Sequence, residues 1–354
     1  MNVAIARGPG GKYGVGMYVP PNTISNDAIE TIFALKETLT DKKKPVTAEN
    51  IKRLTGIEFR HYISRDQENS DLFLKAGQIA LDRAGLQWND IDVYELGATG
   101  PENNFTSTIC QALSKVDQTG YDSKICSEAT DVCTACTSSI YAIVGMVRAL
   151  LCTRRYRYGM AGGSEVMSRM NSLLDANDAF WGDGAGVLVA EKTEEDRGFI
   201  AWVLGSRPDL AHYTHSYGKG TRFNENGALP RVEMMGHEIY EFVLQTVPEL
   251  IEQTITETNI ELVARGQKEI TKKDIKLFAL HQANLRAIEH MVRHDHFSKD
   301  QIYTNIDKYG NTSSASMPMV LTEAIEKGMV GAGDLVMLVG FGAGMTYGAT
   351  VLRL

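Results

Sequence analysis

The most informative stretch of the sequence is Asp131-Val132-Cys133-Thr134-Ala135-Cys136-Thr137-Ser138-Ser139-Ile140. Small residues surround Cys136, and the apolar residues after it recur at spacings of three and four, which predicts a buried helix. A thiol in the first turn of such a helix faces the positive end of the helix dipole, which favours a thiolate and an adjoining oxyanion. Cys136 is therefore a candidate nucleophile. The alternative is a core cysteine, because free cysteine is among the most buried residue types.

The overall composition is that of a soluble globular protein. The chain has 354 residues, of which 43% are hydrophobic and 23% are charged. This length suggests two domains or one large duplicated domain. The formal net charge of -8 argues against nucleic acid as the main partner. We find no apolar stretch long enough to cross a bilayer, so we expect no membrane association.

The cysteines indicate reduced thiols rather than disulfides or a metal site. There are five of them, at positions 110, 126, 133, 136 and 152. The number is odd, and the single CxxC formed by Cys133 and Cys136 lacks the second pair of a metal site and the rest of a redox motif. Since reduced thiols are typical of a cytoplasm, the sequence predicts a cytoplasmic protein without a bound metal.

Apolar segments with strand and helix periodicity alternate along the chain, which is typical of an α/β fold. Strands are predicted at residues 91–97, 184–190, 199–204, 276–280, 301–305, 335–339 and 347–353. Helices are predicted at residues 105–113, 234–258, 283–294 and 314–327. A charged turn near residue 195 separates two segments with a similar order of elements, 1–195 and 196–354. The sequence therefore predicts a duplicated α/β unit.

Three further segments carry residues suited to chemistry. An apolar strand ends at His281, and α/β folds place their chemistry at the carboxyl ends of strands. Asn311 follows Gly310 and precedes a helix start rich in small residues. A glycine-rich turn at 340–344 joins two strands and lets backbone N–H groups approach a ligand. The alternatives are a structural histidine, a helix-capping asparagine and a tight hairpin.

These motifs together resemble the β-ketoacyl-acyl carrier protein synthase III group of the thiolase superfamily. The resemblance covers the chain from about Gly14 to Leu354. It is carried by the segment around Cys136, Gly182-Asp183-Gly184-Ala185-Gly186, His281-Gln282-Ala283-Asn284-Leu285-Arg286, Gly310-Asn311-Thr312-Ser313-Ser314-Ala315-Ser316 and residues 340–348. It implies a thiolase fold, a duplicated αβαβα five-layered architecture. Residues 1–195 would carry the nucleophilic cysteine, and residues 196–354 the histidine and asparagine.

The resemblance implies a catalytic triad of Cys136, His281 and Asn311. Cys136 would take an acyl group from an acyl thioester such as acyl-CoA, with the N–H groups of Cys136 and Ala343 holding the oxyanion. His281 and Asn311 would bind the thioester carbonyl of malonyl-acyl carrier protein as CO2 leaves. The resulting carbanion would attack the acyl group and give a β-ketoacyl thioester, without a metal or redox cofactor.

The resemblance also assigns residues to substrate binding. Asn284 and His237 would lie near the pantetheine, and Arg169 near the nucleotide end of coenzyme A. For Arg169 the alternative is an ordinary surface charge. Phe105 matches the residue that reaches into the partner's acyl pocket across the two-fold axis of a homodimer, although a core aromatic is the alternative.

A docking surface for the carrier protein is expected beside the tunnel mouth. Arg286 and Arg293 are seven residues apart and share one helical face. They would attract an acidic carrier protein in spite of the negative net charge, because docking depends on a local patch.

The chain departs from the family pattern near the expected coenzyme A site. Asn50 replaces the usual tryptophan that stacks on the adenine, and Leu54 replaces an arginine, although Arg53 adjoins it. Glu241 stands at a position that is typically basic. These changes leave open whether the primer is acetyl-CoA, another acyl-CoA or an acyl group on a carrier protein.

The sequence also leaves open the acyl chain length and the acceptor. The shape of the tunnel depends on loops such as residues 212–226, with Tyr213, Tyr217 and Phe223. An acyltransferase of the same fold, which passes the acyl group to an alcohol or amine without decarboxylation, is the alternative function. A non-catalytic partner subunit is a further alternative that the intact triad disfavours.

Overall fold

The structure is a computed structural model, and it describes residues 2–36, 46–103, 105–116, 127–173, 176–217, 231–294 and 297–354. Its strands are β1 (Asn2–Ile5), β2 (Val15–Tyr18), β3 (Asn22–Ser25), β4 (Phe59–Tyr62), β5 (Val93–Gly97), β6 (Glu128–Val132), β7 (Tyr158–Glu165), β8 (Gly184–Thr193), β9 (Gly198–Ser206), β10 (Thr214–Tyr217), β11 (Arg231–Met234), β12 (Ile275–Leu280), β13 (Leu335–Gly342) and β14 (Thr346–Arg353). Its helices are α1 (Asn26–Lys36), α2 (Ala48–Thr55), α3 (Asn69–Ala84), α4 (Thr108–Ser114), α5 (Ser138–Cys152), α6 (Gly236–Ala264), α7 (Leu285–Arg293), α8 (Ile306–Tyr309) and α9 (Ser316–Glu326).

The strands form two main sheets and two hairpins. The first sheet has the order β1-β8-β7-β5-β6, with β2 also paired to β8. The second has the order β12-β13-β14-β9, and the hairpins are β3-β4 and β10-β11. The expected boundary at residues 195 and 196 falls in the turn between β8 and β9. Strands before this turn build the first sheet and strands after it build the second, while the division into two domains remains a prediction.

The two sheets and their helices form five layers. The central helices α5 and α9 lie between the sheets, where their apolar side chains share one core with the inner faces of both. Helix α3 and part of α4 cover the outer face of the first sheet. Helices α6 and α7 cover the outer face of the second. This arrangement confirms the predicted αβαβα thiolase fold.

Helix α5 corrects the expectation that no apolar stretch of the chain is long enough to cross a bilayer. Among the described residues, the stretch Ala135–Cys152 has the length and mean hydropathy, 1.6, of a membrane-spanning helix. More than half of it, 56%, is buried inside the protein. A core helix of a globular protein has the same composition, because it must be apolar on almost every side when it lies between two sheets.

The duplication is visible in the turns that precede the central helices. A 3-10 turn at Ala135–Thr137 leads into α5, and one at Ser313–Ala315 leads into α9. The first residue of each turn has a left-handed backbone, with φ of 54° at Ala135 and 47° at Ser313. Such a conformation costs a non-glycine residue about 1–3 kcal/mol and concentrates at functional sites. Both turns border the cavity described below.

Three predicted elements differ most from the structure, and one of them is the helix predicted at 234–258, which spans Gly236–Ala264 as α6. Residues 301–305 do not form a strand, because the side chain of Gln301 caps a 3-10 turn (Lys299–Gln301) and donates to the carbonyls of Lys272 and Ile275. The helix predicted at 105–113 begins at Thr108 instead, because Ser107 is the N-cap and accepts a hydrogen bond from the N–H of Cys110.

Gly97 provides a test of how tightly α5 sits on the first sheet. A Cβ atom on Gly97 would lie 2.4 Å from the carbonyl carbon of Ser138, at the start of α5. We expect Gly97→Ala to lower the free energy of unfolding by about 1–3 kcal/mol through overpacking. The matched control is Gly331→Ala, whose Cβ would meet no atom within 4 Å. Urea denaturation measures both variants, and equal stabilities would contradict this packing.

Candidate active site

One cavity brings the three predicted catalytic side chains together. It has a volume of about 140 Å³ and is lined by Cys136, His281 and Asn311. These residues come from the turn before α5, the end of β12 and the turn before α9. Gly342 and Ala343, at the turn between β13 and β14, complete this side of the cavity. Four segments distant in sequence therefore build one site.

The backbone of Cys136 lies directly against the glycine-rich turn. Cys136 is in the 3-10 turn that precedes α5, rather than in the first turn of the helix. A Cβ atom on Gly342 would lie 2.8 Å from the backbone nitrogen of Cys136, so only glycine fits there without a shift. The turn at 340–344 therefore approaches the nucleophile's backbone, and the next residue, Ala343, lines the same cavity.

The thiol of Cys136 is not held as a thiolate in the free protein. The surface that Cys136 keeps faces the cavity, and burial raises the pKa of its thiol to about 12. The Ser313 hydroxyl, 3.3 Å from the sulfur, lowers this pKa, while the charge of Glu165 raises it further. The expectation that the helix dipole favours a thiolate is therefore wrong for the resting site, because the cost of desolvating the charge is larger.

His281 is buried and neutral. Burial lowers the pKa of its imidazole to about 3. Its Nδ1 lies 2.7 Å from the Ser316 hydroxyl, which also accepts a hydrogen bond from the N–H of Gln282. A Ser316 hydroxyl that donates to Nδ1 leaves the ring proton of His281 on Nε2. We infer this tautomer, which presents a donor at Nε2.

Asn311 is held by both its backbone and its side chain. Its N–H donates to the carbonyl of Phe180, and its carbonyl accepts from the N–H of Gly182. The side-chain Oδ1 accepts from the N–H of Ser313, at 2.9 Å. Because the oxygen is engaged, the amide Nδ2 is the group that Asn311 offers to a ligand. Asn311 thus makes the capping hydrogen bond of an ordinary turn asparagine and also lines the cavity.

A polar network next to Cys136 contains Thr99, Glu165 and Ser314, to which the sequence analysis assigned no role. The Glu165 carboxylate accepts from the N–H and hydroxyl of Thr99, at 3.0 and 2.9 Å, and from the N–H and hydroxyl of Ser314, at 3.2 and 2.5 Å. Ser313 joins this network to the sulfur. Burial raises the pKa of Glu165 to about 7, although these hydrogen bonds lower it. A lone acidic residue at the end of a strand, after Gly162-Gly163-Ser164, was the available sequence signal.

The rest of the cavity wall is mainly apolar. A small cluster of buried or half-buried side chains covers the cavity; it consists of Met167, Met170, Trp181, Val232 and Met234. Thr214, His215 and Ser216 of β10 also line it, so the loop at 212–226 contributes as the sequence suggested. Phe223 and the side chain of Tyr217 lie outside the described residues. An apolar wall suits an acyl chain.

Two residues assigned to substrate binding have other contacts. Arg169 donates to the Glu68 carboxylate at 2.7 Å and to the carbonyls of Ser64 and Gln67, so it holds the loop before α3. These contacts give Arg169 a structural role, and its assignment to coenzyme A stays a prediction. His237, whose side chain is 79% exposed, is the second residue of α6 and contacts Glu241 at 3.3 Å. It lies on the surface and does not line the cavity.

The second predicted pantetheine residue, Asn284, and the two predicted docking arginines lie at the start of α7 or within it. Asn284 is the N-cap of α7 and accepts from the N–H of Arg286 at 2.8 Å. Arg286 pairs with Glu289 at 2.7 Å and donates to two carbonyls at the end of α2. Arg293 borders a surface groove of about 480 Å³ beside α7. Arg286 therefore has a structural task in addition to any docking role.

Phe105 is fully exposed, which excludes its alternative role as a core aromatic. The residues that replace the family's adenine-binding pair lie on α2. Asn50 accepts a hydrogen bond from Arg53, and Leu54 is half exposed. Contacts join α2 to α7, so this departure lies next to the candidate docking helix.

The described residues contain no cluster of three or more histidine, cysteine or acidic side chains arranged to hold a metal ion. Cys110, Cys133, Cys136 and Cys152 are free thiols, while Cys126 lies outside the described residues.

The five-layered fold and a cavity with cysteine, histidine and asparagine define a protein of the thiolase superfamily. Two family models match the chain: 3-oxoacyl-[acyl-carrier-protein] synthase III over residues 130–208 and its C-terminal model over residues 266–354. The beta-ketoacyl-[acyl-carrier-protein] synthase III of Clostridium perfringens is 32% identical over 350 residues, which covers 96% of this chain and 98% of the relative.

Solved structures agree with this match. The 3-oxoacyl-[acyl-carrier-protein] synthase III of Aquifex aeolicus VF5 is 26% identical with a TM-score of 0.79, and the corresponding Thermus thermophilus structure is 28% identical with a TM-score of 0.80. Each covers 96% of this chain and 98% of its own. The chain therefore belongs to the β-ketoacyl-acyl carrier protein synthase III family, as the motifs indicated.

Ser316 allows the assignment of the His281 tautomer to be tested. In the unaltered protein we expect the ring proton of His281 on Nε2, with no titration of the ring between about pH 5 and pH 8 because its pKa is so low. In Ser316→Ala, Nδ1 loses its donor, so the Nδ1–H tautomer should become populated. Nitrogen-15 NMR of labelled histidine distinguishes the tautomers. Thr322→Ala, further along α9, is the control, and a proton on Nδ1 in the unaltered protein would refute the assignment.

Proposed function

We propose that this protein catalyses the decarboxylative Claisen condensation of an acyl thioester primer with a malonyl thioester, through an acyl group on Cys136. The observation that carries this proposal is the convergence of Cys136, His281 and Asn311 on one cavity with an apolar wall. The family relatives named as β-ketoacyl-acyl carrier protein synthases support it. The protein would thus act as an acyltransferase that forms a carbon–carbon bond.

The first half-reaction places the acyl group on sulfur. The sulfur of Cys136 attacks the thioester carbonyl as its S–H bond breaks and the proton passes to a base, while the N–H groups of Cys136 and Ala343 stabilise the oxyanion of the tetrahedral intermediate. The intermediate then collapses, and the thioester C–S bond breaks with its electron pair on the departing thiolate. Their proposed role is supported by the close approach of Gly342 to the backbone nitrogen of Cys136. Backbone donors fixed in this way are effective because they need no reorganisation as the charge develops.

The second half-reaction needs two neutral donors at a developing enolate. His281 offers Nε2–H and Asn311 offers Nδ2–H, since hydrogen bonds from Ser316 and Ser313 engage the other heteroatom of each side chain. A malonyl thioester carbonyl between them would accept both bonds as CO2 leaves. The carbanion then attacks the acyl group on Cys136 and expels the thiolate, which yields a β-ketoacyl thioester. No cofactor is needed for this chemistry.

We further propose that the malonyl group arrives on an acyl carrier protein that docks at α7. Arg293 and Lys299 border the groove beside α7 and provide positive charge there. The absence of an aromatic residue at Asn50 weakens adenine binding, so a carrier-bound primer remains an alternative to acyl-CoA. The cytoplasmic location expected from the cysteines stays a prediction.

A homodimer is the proposed assembly. Strand β6 lies at the edge of the first sheet, where it pairs with β5. Phe105 is fully exposed in the loop before α4. An open sheet edge and an exposed aromatic ring on this half of the molecule suit association with a second copy.

Intact-protein mass spectrometry tests the acyl-enzyme. Incubation with a panel of acyl-CoA thioesters should add the mass of the preferred acyl group to the unaltered protein and to Cys133→Ala, but not to Cys136→Ala. Cys133 is the matched control because it is a neighbouring free thiol. An adduct that survives Cys136→Ala would contradict the proposed nucleophile.

The two donors should act in the second half-reaction. In His281→Ala or Asn311→Ala the acyl adduct should still form, while the condensation rate with malonyl-acyl carrier protein falls about 100- to 1000-fold, as for the loss of one oxyanion donor. Release of labelled CO2 is the measurement. Acyl transfer to an alcohol or amine without release of CO2 would instead identify the alternative function.

Charge reversal on α7 tests the docking surface. Arg293→Glu should raise KM for malonyl-acyl carrier protein about tenfold or more by like-charge repulsion, and leave KM for malonyl-CoA unchanged. The control is Arg154→Glu, because Arg154 is an exposed arginine that follows the C-terminal end of α5. Equal effects on both substrates would place the docking surface elsewhere.

A further inference from the structure

A buried carboxylate is linked to the nucleophilic sulfur by two hydroxyl groups. Ser313 Oγ lies 3.3 Å from Cys136 Sγ and 2.7 Å from Thr99 Oγ1. Thr99 Oγ1 in turn lies 2.9 Å from Glu165 Oε1. Every step is within hydrogen-bond distance, so the path from the sulfur to the carboxylate has no gap.

The hydrogens along this path fit two states of the site. Each hydroxyl carries one hydrogen and can also accept one. In the first state the thiol donates to Ser313, Ser313 donates to Thr99, and Thr99 donates to Glu165. In the second state every bond is reversed, so that the carboxylic acid donates to Thr99 and Ser313 donates to the sulfur. The same heavy-atom positions serve both states.

We propose that Ser313 and Thr99 relay the thiol proton of Cys136 to Glu165 as the sulfur attacks an acyl thioester. The proposal rests on the proposed function for its substrate. The S–H bond and the two hydroxyl O–H bonds break, while new O–H bonds form on Ser313, Thr99 and Glu165. The electron pair released on sulfur forms the bond to the acyl carbon, and the departing thiolate keeps the pair of the broken thioester bond.

The buried site needs a group that accepts the thiol proton of Cys136. Burial keeps the Cys136 thiol protonated, so the proton must leave as attack proceeds. His281 is a weak base, since its pKa is lowered to about 3, and the sulfur's hydrogen-bond partner is Ser313. The pKa of Glu165, raised to about 7, is close to the value at which a general base is both ionised and basic near neutral pH.

A second cavity gives the proton an exit. Glu165 lines a second cavity of about 230 Å³, whose lining does not include Cys136, Ser313 or Thr99. Glu68, Glu102 and Arg169 also line that cavity. Met170 lines both cavities, so the two cavities adjoin. The charged and titratable groups that face Glu165 are Cys133, Cys136, Glu68, Glu102 and Arg169.

Thr99 is the residue at which the relay can be cut with the least disturbance. Thr99→Val is nearly isosteric and removes only the hydroxyl, whereas Thr99→Ser keeps the hydroxyl and removes a methyl group. The probe is iodoacetamide, and the quantity measured is the rate of Cys136 alkylation between about pH 6 and pH 9, resolved by peptide mass spectrometry. Alkylation of the exposed Cys152 is the internal control.

In the unaltered protein we expect the rate to rise as Glu165 ionises and to level off above its pKa of about 7. The alkylation rate rises with pH because the carboxylate of Glu165 is the base, and this carboxylate is protonated as pH falls through the pKa. In Thr99→Val the rate near pH 8 should fall about 100-fold, the low end of the contribution of a positioned general base. It should then rise continuously with pH, because only the ionisation of the thiol remains. Thr99→Ser should restore the rate and the levelling.

Two results would overturn the relay: a Thr99→Val profile that coincides with that of the unaltered protein, or a Thr99→Ser variant as slow as Thr99→Val. Glu165→Gln should show the profile of Thr99→Val, and if it fails to fold, the Thr99 pair still decides. Alkylation needs no acyl substrate. An unaltered protein that follows the expected profile but forms no acyl adduct would therefore uphold the relay and reject the proposed function.

Discussion

The close contact of two helix starts at the centre of the molecule determines the rest of the site. The turn that leads into α5 and the turn that leads into α9 pack against each other between the two sheets. The backbone of Ser138 packs against Gly97 of β5, and the backbone of Ser314 packs against Gly163 of β7. Neither glycine has room for a side chain. Cys136 belongs to one of these turns, and Asn311 lies two residues before the other. The second sheet then delivers His281 and Gly342 to the same point, so each half of the chain supplies part of a site that neither half contains alone.

This burial has an electrostatic consequence. The thiol, the imidazole and the carboxyl group in the centre all shift toward their neutral forms, because desolvation penalises each charged form. Because its pKa is lowered to about 3, the neutral imidazole of His281 can donate a hydrogen bond but is a weak base toward the thiol proton. In the proposed mechanism, two tasks that one histidine performs in many cysteine enzymes are therefore separated: His281 would stabilise an enolate, and the Glu165 network would receive a proton. Both tasks depend on hydroxyl groups, Ser316 in the first case and Ser313 in the second.

The sequence predicted those parts of the fold and site that follow from local patterns. The duplicated α/β unit follows from alternating strands and helices, whereas the five layers were implied by the family resemblance. Cys136, His281 and Asn311 each stand at the end of a recognisable element. The roles of Thr99 and Glu165 were missed because they depend on contacts across 66 positions between them and 214 positions from Thr99 to Ser313. The assignment of Arg169 to coenzyme A stays a prediction, and its family position did not reveal that its guanidinium donates to Glu68 and nearby carbonyls. The thiolate expectation was wrong because the dipole of a helix is readable from sequence, but the desolvation of the turn that precedes the helix is not.

The most direct test of this account is a crystal structure of the protein after reaction with its preferred acyl-CoA. The account predicts a thioester on Cys136 Sγ, with its carbonyl oxygen about 3 Å from the N–H groups of Cys136 and Ala343. The acyl chain should lie along the apolar wall formed by Trp181 and the neighbouring methionines. An acyl group on another residue, or a thioester oxygen that points away from both N–H groups, would contradict it.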